Sequence, residues 1–121
     1  MNIGVTGLEG EKRVAGFLRN QGFAVIKRNY TCRFGEIDII AQNDEYILFV
    51  EVKTRKENSL VSGVEAVDAF KQSRILRTAN DYIAKTDCVL QPRFDVAEVT
   101  VYDKGDNTLG YKLHYIENAF G

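Results

Sequence analysis

The chain has 121 residues, 45% of them hydrophobic, and its 16 Lys and Arg residues nearly balance 17 Asp and Glu residues to give a net charge of −1. That length supports one modest core and leaves no room for a second. No apolar run approaches the roughly 20 residues that span a bilayer, and no basic segment followed by an apolar one opens the chain. We therefore expect one cytoplasmic domain over residues 1–121.

The cysteine and histidine content excludes several kinds of site. Cys32 and Cys88 are isolated and lack CxxC spacing, so we expect reduced thiols rather than a disulfide framework or a zinc site. His114 is the only histidine and lies in a strand-like alternation, where a structural role is favoured over a catalytic one.

The first predicted elements are a helix and a strand. Residues 8–21 are predicted to form the helix, with Thr6 or Gly7 as its cap and Gly22 ending it. Its apolar stripe consists of Leu8, Val14, Ala15 and Leu18. Glu11 lies near the N-terminal end beside that stripe, where the helix dipole favours a carboxylate. Residues 23–30 are predicted to form the first strand.

The next two strands, residues 35–40 and 49–53, carry charge at every second position inside apolar runs. The linking residues include Asn43 and Asp44, which are polar turn formers, so the two runs are predicted to close a hairpin. Side chains alternate between the faces of a strand, and each strand therefore presents its charges on one side.

The register of this hairpin follows from its charges. With Asp38 opposite Glu51, Glu36 faces Lys53 and Ile40 faces Phe49. The other face then holds only apolar residues: Ile37, Ile39, Ala41, Leu48, Val50 and Val52. A slip of one residue would bury an unpaired carboxylate in that face, which costs several kcal/mol.

This register brings Asp38, Glu51 and Lys53 into one cluster, since directly opposite Cβ atoms lie roughly 4.5–5.5 Å apart. Two carboxylates so close repel unless a cation lies between or beside them. Mg²⁺ is usually held by one or two carboxylates and keeps waters for phosphate oxygens, so the cluster suits it. A structural ion-pair patch on a half-exposed sheet would give the same alternation.

The rest of the chain alternates between polar loops and regular elements. Residues 55–63 are polar and predicted to form a loop, and residues 64–85 a long helix. The buried side of that helix is predicted to hold Val64, Val67, Phe70, Ile75, Ala79 and Ile83. Residues 93–102 and 111–116 are predicted strands separated by a turn at 105–110. The order αβββαββ predicts an α/β fold in which helices flank a mixed sheet.

An Asp at the end of one strand followed by Glu-x-Lys in the next, here Asp38 and Glu51-Val52-Lys53, resembles the PD-(D/E)XK nuclease superfamily. Ile37 stands in place of the Pro of that name. Over nearly the whole chain, the sequence resembles the YraN-like bacterial family within this superfamily. The matching residues are Gly10-Glu11, Arg28-Asn29-Tyr30, residues 35–38, residues 49–53 with Arg55, Lys71, and Arg93-Phe94-Asp95.

The resemblance implies a single nuclease-like domain with a restriction-endonuclease-like core. It implies a metal-dependent endonuclease in which Asp38 and Glu51 bind Mg²⁺, with Mn²⁺ as an alternative. Glu11 would complete the metal site, and Lys53 would position or deprotonate the attacking water. Small nucleases with this core include Holliday-junction resolvases, which implies branched or repair-intermediate DNA as substrate and a homodimer with two active sites.

A net charge of −1 argues against nucleic-acid binding, because phosphate neutralisation drives that binding. However, six acids lie in or near the predicted cleft, where metal would offset part of their charge: Glu9, Glu11, Glu36, Asp38, Glu51 and Asp95. The basic residues predicted to follow a phosphate backbone are Arg28, Arg33, Arg55, Lys71 and Arg74. Tyr30 and Phe34 are further candidates, for stacking on an unpaired base, although core packing is favoured for Phe34.

A second class of function stays open on the sequence. The chain could be a catalytically inactive nuclease-fold module that binds nucleic acid or a protein partner. Two repelling acids and a lysine in one sheet argue against it, since a binding module does not need them.

Overall fold

A computed structural model of the chain describes residues 3–57 and 67–121. It confirms the predicted α/β fold and the order αβββαββ. The elements are α1 (Ile3–Asn20), β1 (Ala24–Cys32), β2 (Gly35–Gln42), β3 (Tyr46–Lys56), α2 (Ala69–Thr86), β4 (Gln91–Asp103) and β5 (Leu109–Phe120). Across the described ranges, no helix is long and apolar enough to cross a membrane. Both cysteines are free.

The five strands form one mixed sheet in the order β1-β2-β3-β4-β5. All neighbours are antiparallel except β3 and β4, which run parallel. Parallel neighbours need a long crossover connection, and the segment containing α2 provides it. β3 is therefore the central strand, with the antiparallel hairpin on one side and the crossover partner on the other.

The two helices cover opposite faces of the sheet. On one face Val14, Ala15 and Leu18 of α1 pack with a cluster of sheet residues: Ile39, Ala41, Leu48, Val50, Ala97 and Val99. On the other face Ile75, Ala79 and Tyr82 of α2 pack with a second cluster: Ile37, Ile40, Ile47, Phe49, Phe94 and Val96. Strand alternation explains why neighbours such as Leu48 and Phe49 enter different clusters.

The hairpin has the predicted register, with Ile40 opposite Phe49, but its paired length is shorter than predicted. Regular pairing between β2 and β3 ends at Ile39 and Val50, so the predicted Asp38–Glu51 and Glu36–Lys53 positions lie just beyond the ladder. The predicted face of Ile37 was wrong, because it packs in the cluster on the α2 side. Ile37 still pairs with Tyr30 of β1, but it lies beyond the last pair of β2 with β3, and there its side chain departs from the face of Ile39 and Ala41.

The predicted helix boundaries were wrong at both N-termini. α1 begins at Ile3 rather than at residue 8, so Thr6 and Gly7 lie within it. α2 begins at Ala69, because the Asp68 carboxylate caps it by accepting the Lys71 N–H at 2.9 Å. The predicted start at Val64 lies outside the described residues.

Two predicted core residues and two predicted loop residues also differ from the structure. Phe70 is 74% exposed and Leu8 61% exposed. Phe70 lies in the first turn of α2 and Leu8 in the second turn of α1, both on the N-terminal side of the residues that pack on the sheet. Arg55 and Lys56, predicted in the loop, belong to β3, because β4 pairs with this strand along its whole length.

Asp95 is fully buried, and the prediction that it lies near the cleft was wrong. Arg93 contacts it through two nitrogens, at 2.9 Å from Nη2 and 3.0 Å from Nε, and both partners lie on β4. The Tyr115 hydroxyl and the Asn118 N–H also donate to its carboxylate, at 2.6 Å and 2.9 Å. This set of donors stabilises the charge and ties β5 to β4, so the acid is structural.

We predict that Tyr115→Phe destabilises the fold, because it removes a donor to the buried Asp95 carboxylate. Bonds to charged groups contribute about 1.5–3 kcal/mol, and we expect a loss of that size in the free energy of unfolding measured in urea. Tyr111→Phe, on the same strand, removes a hydroxyl without a described hydrogen bond and should change stability by less than about 0.5 kcal/mol. Equal effects of the two substitutions would contradict the assigned role of Asp95.

Candidate functional site

A cavity of about 520 Å³ opens where β2 and β3 stop pairing, between these strands and the start of α2. Its lining residues are Gly35, Glu36, Asp38, Glu51, Asp68, Phe70, Lys71, Arg74 and Ile75. The sequence places three acids of β2 and β3 at this cavity because their charges alternate toward one face. The N-terminal half of α2 adds the basic residues.

The Asp38 side chain accepts a hydrogen bond from the backbone of β3 at the point where regular pairing between β2 and β3 ends. Its Oδ2 accepts the N–H of Val52 at 2.8 Å. Burial, together with the nearby charges of Glu51 and Glu11, raises the pKa of Asp38 to about 7, against the opposing effect of the Val52 hydrogen bond. The carboxyl is therefore close to half-protonated at neutral pH when no cation is near.

Glu51 is buried, and two lysines contact the same carboxylate oxygen. Lys71 Nζ lies 2.6 Å and Lys53 Nζ 3.2 Å from Glu51 Oε1. Glu51 is only 6% exposed, so its charge needs such partners. Lys53 comes from β3 itself, whereas Lys71 reaches in from α2. Sequence reasoning placed Lys71 on the outer face of the helix among phosphate-binding residues, and its contact with Glu51 was not foreseen.

The two lysines differ in their tendency to lose a proton. Burial lowers the pKa of Lys53, and the nearby Lys71 lowers it further, which together exceed the opposing effect of Glu51. Burial also pushes the pKa of Lys71 down, but its short contact with Glu51 outweighs this and raises the pKa overall. Lys71 is thus held as a cation, while Lys53 is the lysine that more easily gives up a proton.

Glu11 lies next to this cluster but is not among the residues that line the cavity. Its Oε1 lies 3.5 Å from Arg28 Nη2. That oxygen is buried and accepts no hydrogen bond from the described residues. Glu11 still contributes to the raised pKa of Asp38, so the two carboxylates affect each other. The structure therefore places Glu11 as a neighbouring acid that Arg28 compensates in charge.

The donor set of the cavity suits a hard divalent cation held by few protein ligands. Within residues 3–57 and 67–121, no three His, Cys, Asp or Glu side chains are arranged to hold a metal. Asp38 and Glu51 form a pair, and Mg²⁺ is commonly held by one or two carboxylates plus waters and phosphate oxygens. Burial and the neighbouring Glu51 raise the pKa of Asp38, and a divalent cation bound between the two carboxylates would lower it again.

The predicted phosphate-binding residues are only partly brought together. Lys71 and Arg74 line the cavity. Arg28 contacts Glu11, Arg33 lies over the Phe34 ring at 4.7 Å, and Arg55 Nε lies 3.8 Å from Glu98 Oε1. Of the two predicted stacking residues, Tyr30 is occupied, since its hydroxyl donates to Asp81 Oδ2 at 2.8 Å and its ring packs on the core.

Comparison with known proteins identifies the family. A family model described as "Uncharacterised protein family UPF0102" matches residues 10–99. The chain belongs to the UPF0102 family. A UPF0102 protein of Clostridium acetobutylicum is 43% identical over 112 residues, which cover 92% of this chain and 89% of that one. A UPF0102 protein of Caldanaerobacter subterraneus subsp. tengcongensis is 40% identical over 121 residues, covering 99% and 98%.

This UPF0102 membership confirms the predicted YraN-like resemblance. A third relative, from Alkaliphilus metalliredigens, is 43% identical over 92% of this chain and 93% of its own length. The matched residues 10–99 contain Glu11, Asp38, Glu51, Lys53 and Lys71, which together form the acid and lysine cluster.

We predict that Asp38→Asn stabilises this UPF0102 protein at about pH 8 and leaves its stability nearly unchanged at about pH 4. A carboxyl titrates near pH 4 in the unfolded chain, so a folded-state pKa of about 7 means that ionisation costs stability progressively between these values. Asn keeps an oxygen for the Val52 N–H but carries no charge. The expected gain, measured by urea unfolding in EDTA, is on the order of 1–3 kcal/mol at about pH 8.

Asp44→Asn is the matched control for this measurement, because Asp44 is an exposed acid in the β2–β3 turn. Its substitution should leave the pH dependence unchanged. A loss of stability in Asp38→Asn at about pH 8 would show that the carboxylate is not under electrostatic strain.

Proposed function

We propose that this protein is a metal-dependent endonuclease that hydrolyses DNA phosphodiester bonds, in the cytoplasm. The observation that carries the proposal is the convergence of Asp38, Glu51 and Lys71 at one cavity, together with the contact of Lys53 with Glu51. Two repelling acids with two lysines of different pKa form an arrangement that suits phosphoryl chemistry.

In this proposal Asp38 and Glu51 hold Mg²⁺, and Glu11 supports them electrostatically from α1. The bound ion would polarise the scissile phosphate and lower the pKa of an attacking water. Lys71, kept charged by Glu51, offers positive charge to a non-bridging phosphate oxygen. The same contact fixes the Glu51 carboxylate, so Lys71 also positions a metal ligand.

Lys53 is assigned to the nucleophile. Hydrolysis adds the hydroxyl of water to phosphorus while one phosphorus–oxygen ester bond breaks and the leaving oxygen takes a proton. The lowered pKa of Lys53 makes its amine easier to deprotonate than an exposed lysine, so it can orient the water and accept its proton. Arg74, which lines the cavity, would contact a neighbouring phosphate.

One observation favours a second candidate function. Glu51 is already neutralised by Lys53 and Lys71, which is what a structural ion-pair patch in a catalytically inactive binding module would show. Such a module would bind nucleic acid or a protein partner without binding metal. Metal binding therefore separates the two candidates.

We predict that the protein binds Mg²⁺ in calorimetric titration and that Asp38→Ala weakens this binding by about tenfold or more, because one of two carboxylate ligands is lost. Asp44→Ala removes an exposed acid away from the cavity and should bind like the wild type. Absence of binding at millimolar Mg²⁺ or Mn²⁺ in the wild type would remove the chemical basis of the nuclease proposal and favour the binding module.

We predict that Lys53→Ala lowers the rate of DNA cleavage by about 10²–10³-fold, the effect of losing one group that stabilises or activates the reacting atoms. Cleavage of single-stranded, duplex and branched DNA is followed by gel electrophoresis. Lys104→Ala, in the exposed β4–β5 turn, is the matched control and should retain full activity. Activity that Lys53→Ala leaves unchanged would come from a contaminating nuclease.

A further inference from the structure

Phe70 lies on the rim of the cavity and is 74% exposed. Single exposed apolar side chains are ordinary on protein surfaces. Phe70 differs in its position, because it shares the cavity lining with Asp38, Glu51 and Lys71. An aromatic ring at the mouth of an acid and lysine cluster is placed to meet whatever part of a ligand extends out of that cluster.

The rim of the cavity also carries a positive charge, the guanidinium of Arg74. Arg74 is four residues after Phe70, one helical turn away, and its guanidinium carbon lies 5.9 Å from the Phe70 ring centre. Arg74 Nε donates to the backbone oxygen of Phe34 at 3.2 Å, which fixes the guanidinium against the β1–β2 turn. Among the described residues, hydrogen-bond partners of its two terminal nitrogens are absent, and each nitrogen carries N–H donors that suit an anion.

A fixed guanidinium beside an exposed aromatic ring matches the two parts of a nucleotide. The guanidinium suits a phosphate oxygen, and the ring suits the face of a base. Within an undistorted DNA duplex both faces of each base are covered by stacked neighbours, so stacking on a protein side chain favours an unpaired base.

We infer that Phe70 stacks on an unpaired DNA base next to the phosphate held in the cavity, so that the protein binds single-stranded or locally unpaired DNA in preference to duplex. This inference rests on the proposed function for the position of the phosphate. It assigns Phe70 as a specificity-determining residue and Arg74 as its phosphate-binding neighbour.

The chain contains no tryptophan, so Phe70→Trp places a single fluorescent reporter at the proposed contact. The reporter variant is prepared with Lys53→Ala, which retains Asp38 and Glu51, and is titrated in Mg²⁺ with a short single-stranded DNA and with a blunt duplex of the same sequence. We expect saturable quenching of the tryptophan emission by the single strand and none by the duplex. The control Val89→Trp lies beyond the C-terminal end of α2, at a residue that is 95% exposed, and should not respond.

Two further variants separate stacking from a general apolar contact. Phe70→Ala and Phe70→Leu should both weaken binding of the single strand by about 5- to 100-fold and leave duplex binding unchanged, since neither has a ring. Because the side chain is largely exposed, both variants should fold like the wild type. Wild-type affinity in Phe70→Leu, or in both variants, would overturn the inference.

The remaining outcomes decide between this inference and others. A wild type that sediments as a dimer and a Phe70→Ala variant that sediments as a monomer would assign the ring to a contact between two copies, which overturns the base contact. Quenching by single-stranded DNA without any cleavage by the wild type would refute the proposed activity and retain the base contact. DNA cleavage that depends on Lys53, without quenching of the Phe70→Trp emission by single-stranded DNA, would refute the base contact and retain the proposed activity.

Discussion

The end of pairing between β2 and β3 is the constraint on which the candidate site depends. Up to Ile39 and Val50 the hairpin is a continuous ladder with apolar side chains on both faces. Beyond it, the Asp38 carboxylate takes the Val52 N–H and so satisfies a backbone donor that the ladder no longer reaches. Because the strands stop pairing there, the adjoining charged residues face a cavity instead of a packed layer. The same interaction fixes the orientation of Asp38 and keeps it close to Glu51.

Basic side chains contact two of the three neighbouring acids Glu11, Asp38 and Glu51. Lys53 and Lys71 compensate Glu51, and Arg28 compensates Glu11. Among the described residues, Asp38 accepts a hydrogen bond from the Val52 N–H, and burial together with the nearby Glu51 raises its pKa despite that bond. A purely structural patch would pair each buried acid, as Arg93 and Tyr115 do for Asp95 on β4. The contrast between Asp38 and Asp95 within one sheet favours a ligand at Asp38, because a folded protein gains nothing from an undercompensated buried carboxylate.

Sequence alternation predicted the hairpin register and the grouping of Asp38, Glu51 and Lys53, because both follow from local backbone geometry. It could not predict which ends of the strands separate, and Ile37 was therefore assigned to the wrong face. The contact of Lys71 with Glu51 depends on where α2 crosses the sheet, which helical periodicity does not encode. Periodicity also placed Phe70 in the core, since it cannot show that the first turn of α2 extends past the packed layer. Asp95 was misplaced because its partners Tyr115 and Asn118 come from β5, far along the chain.

A near-neutral chain can still bind a polyanion when its opposite charges are separated in space. Here Glu36, Asp38 and Glu51 lie on the sheet side of the cavity, whereas Lys71 and Arg74 lie on the helix side with one acid, Asp68. The low net charge of the chain therefore does not describe the distribution of charge around the cavity. Such a site gains little long-range attraction for duplex DNA, whose binding relies on many phosphate contacts. A short contact with one phosphate, a metal and a stacked base needs far fewer charges, because stacking contributes about 1–3 kcal/mol per base without any charge. The modest basic content is therefore more compatible with recognition of an exposed nucleotide than with a long duplex track.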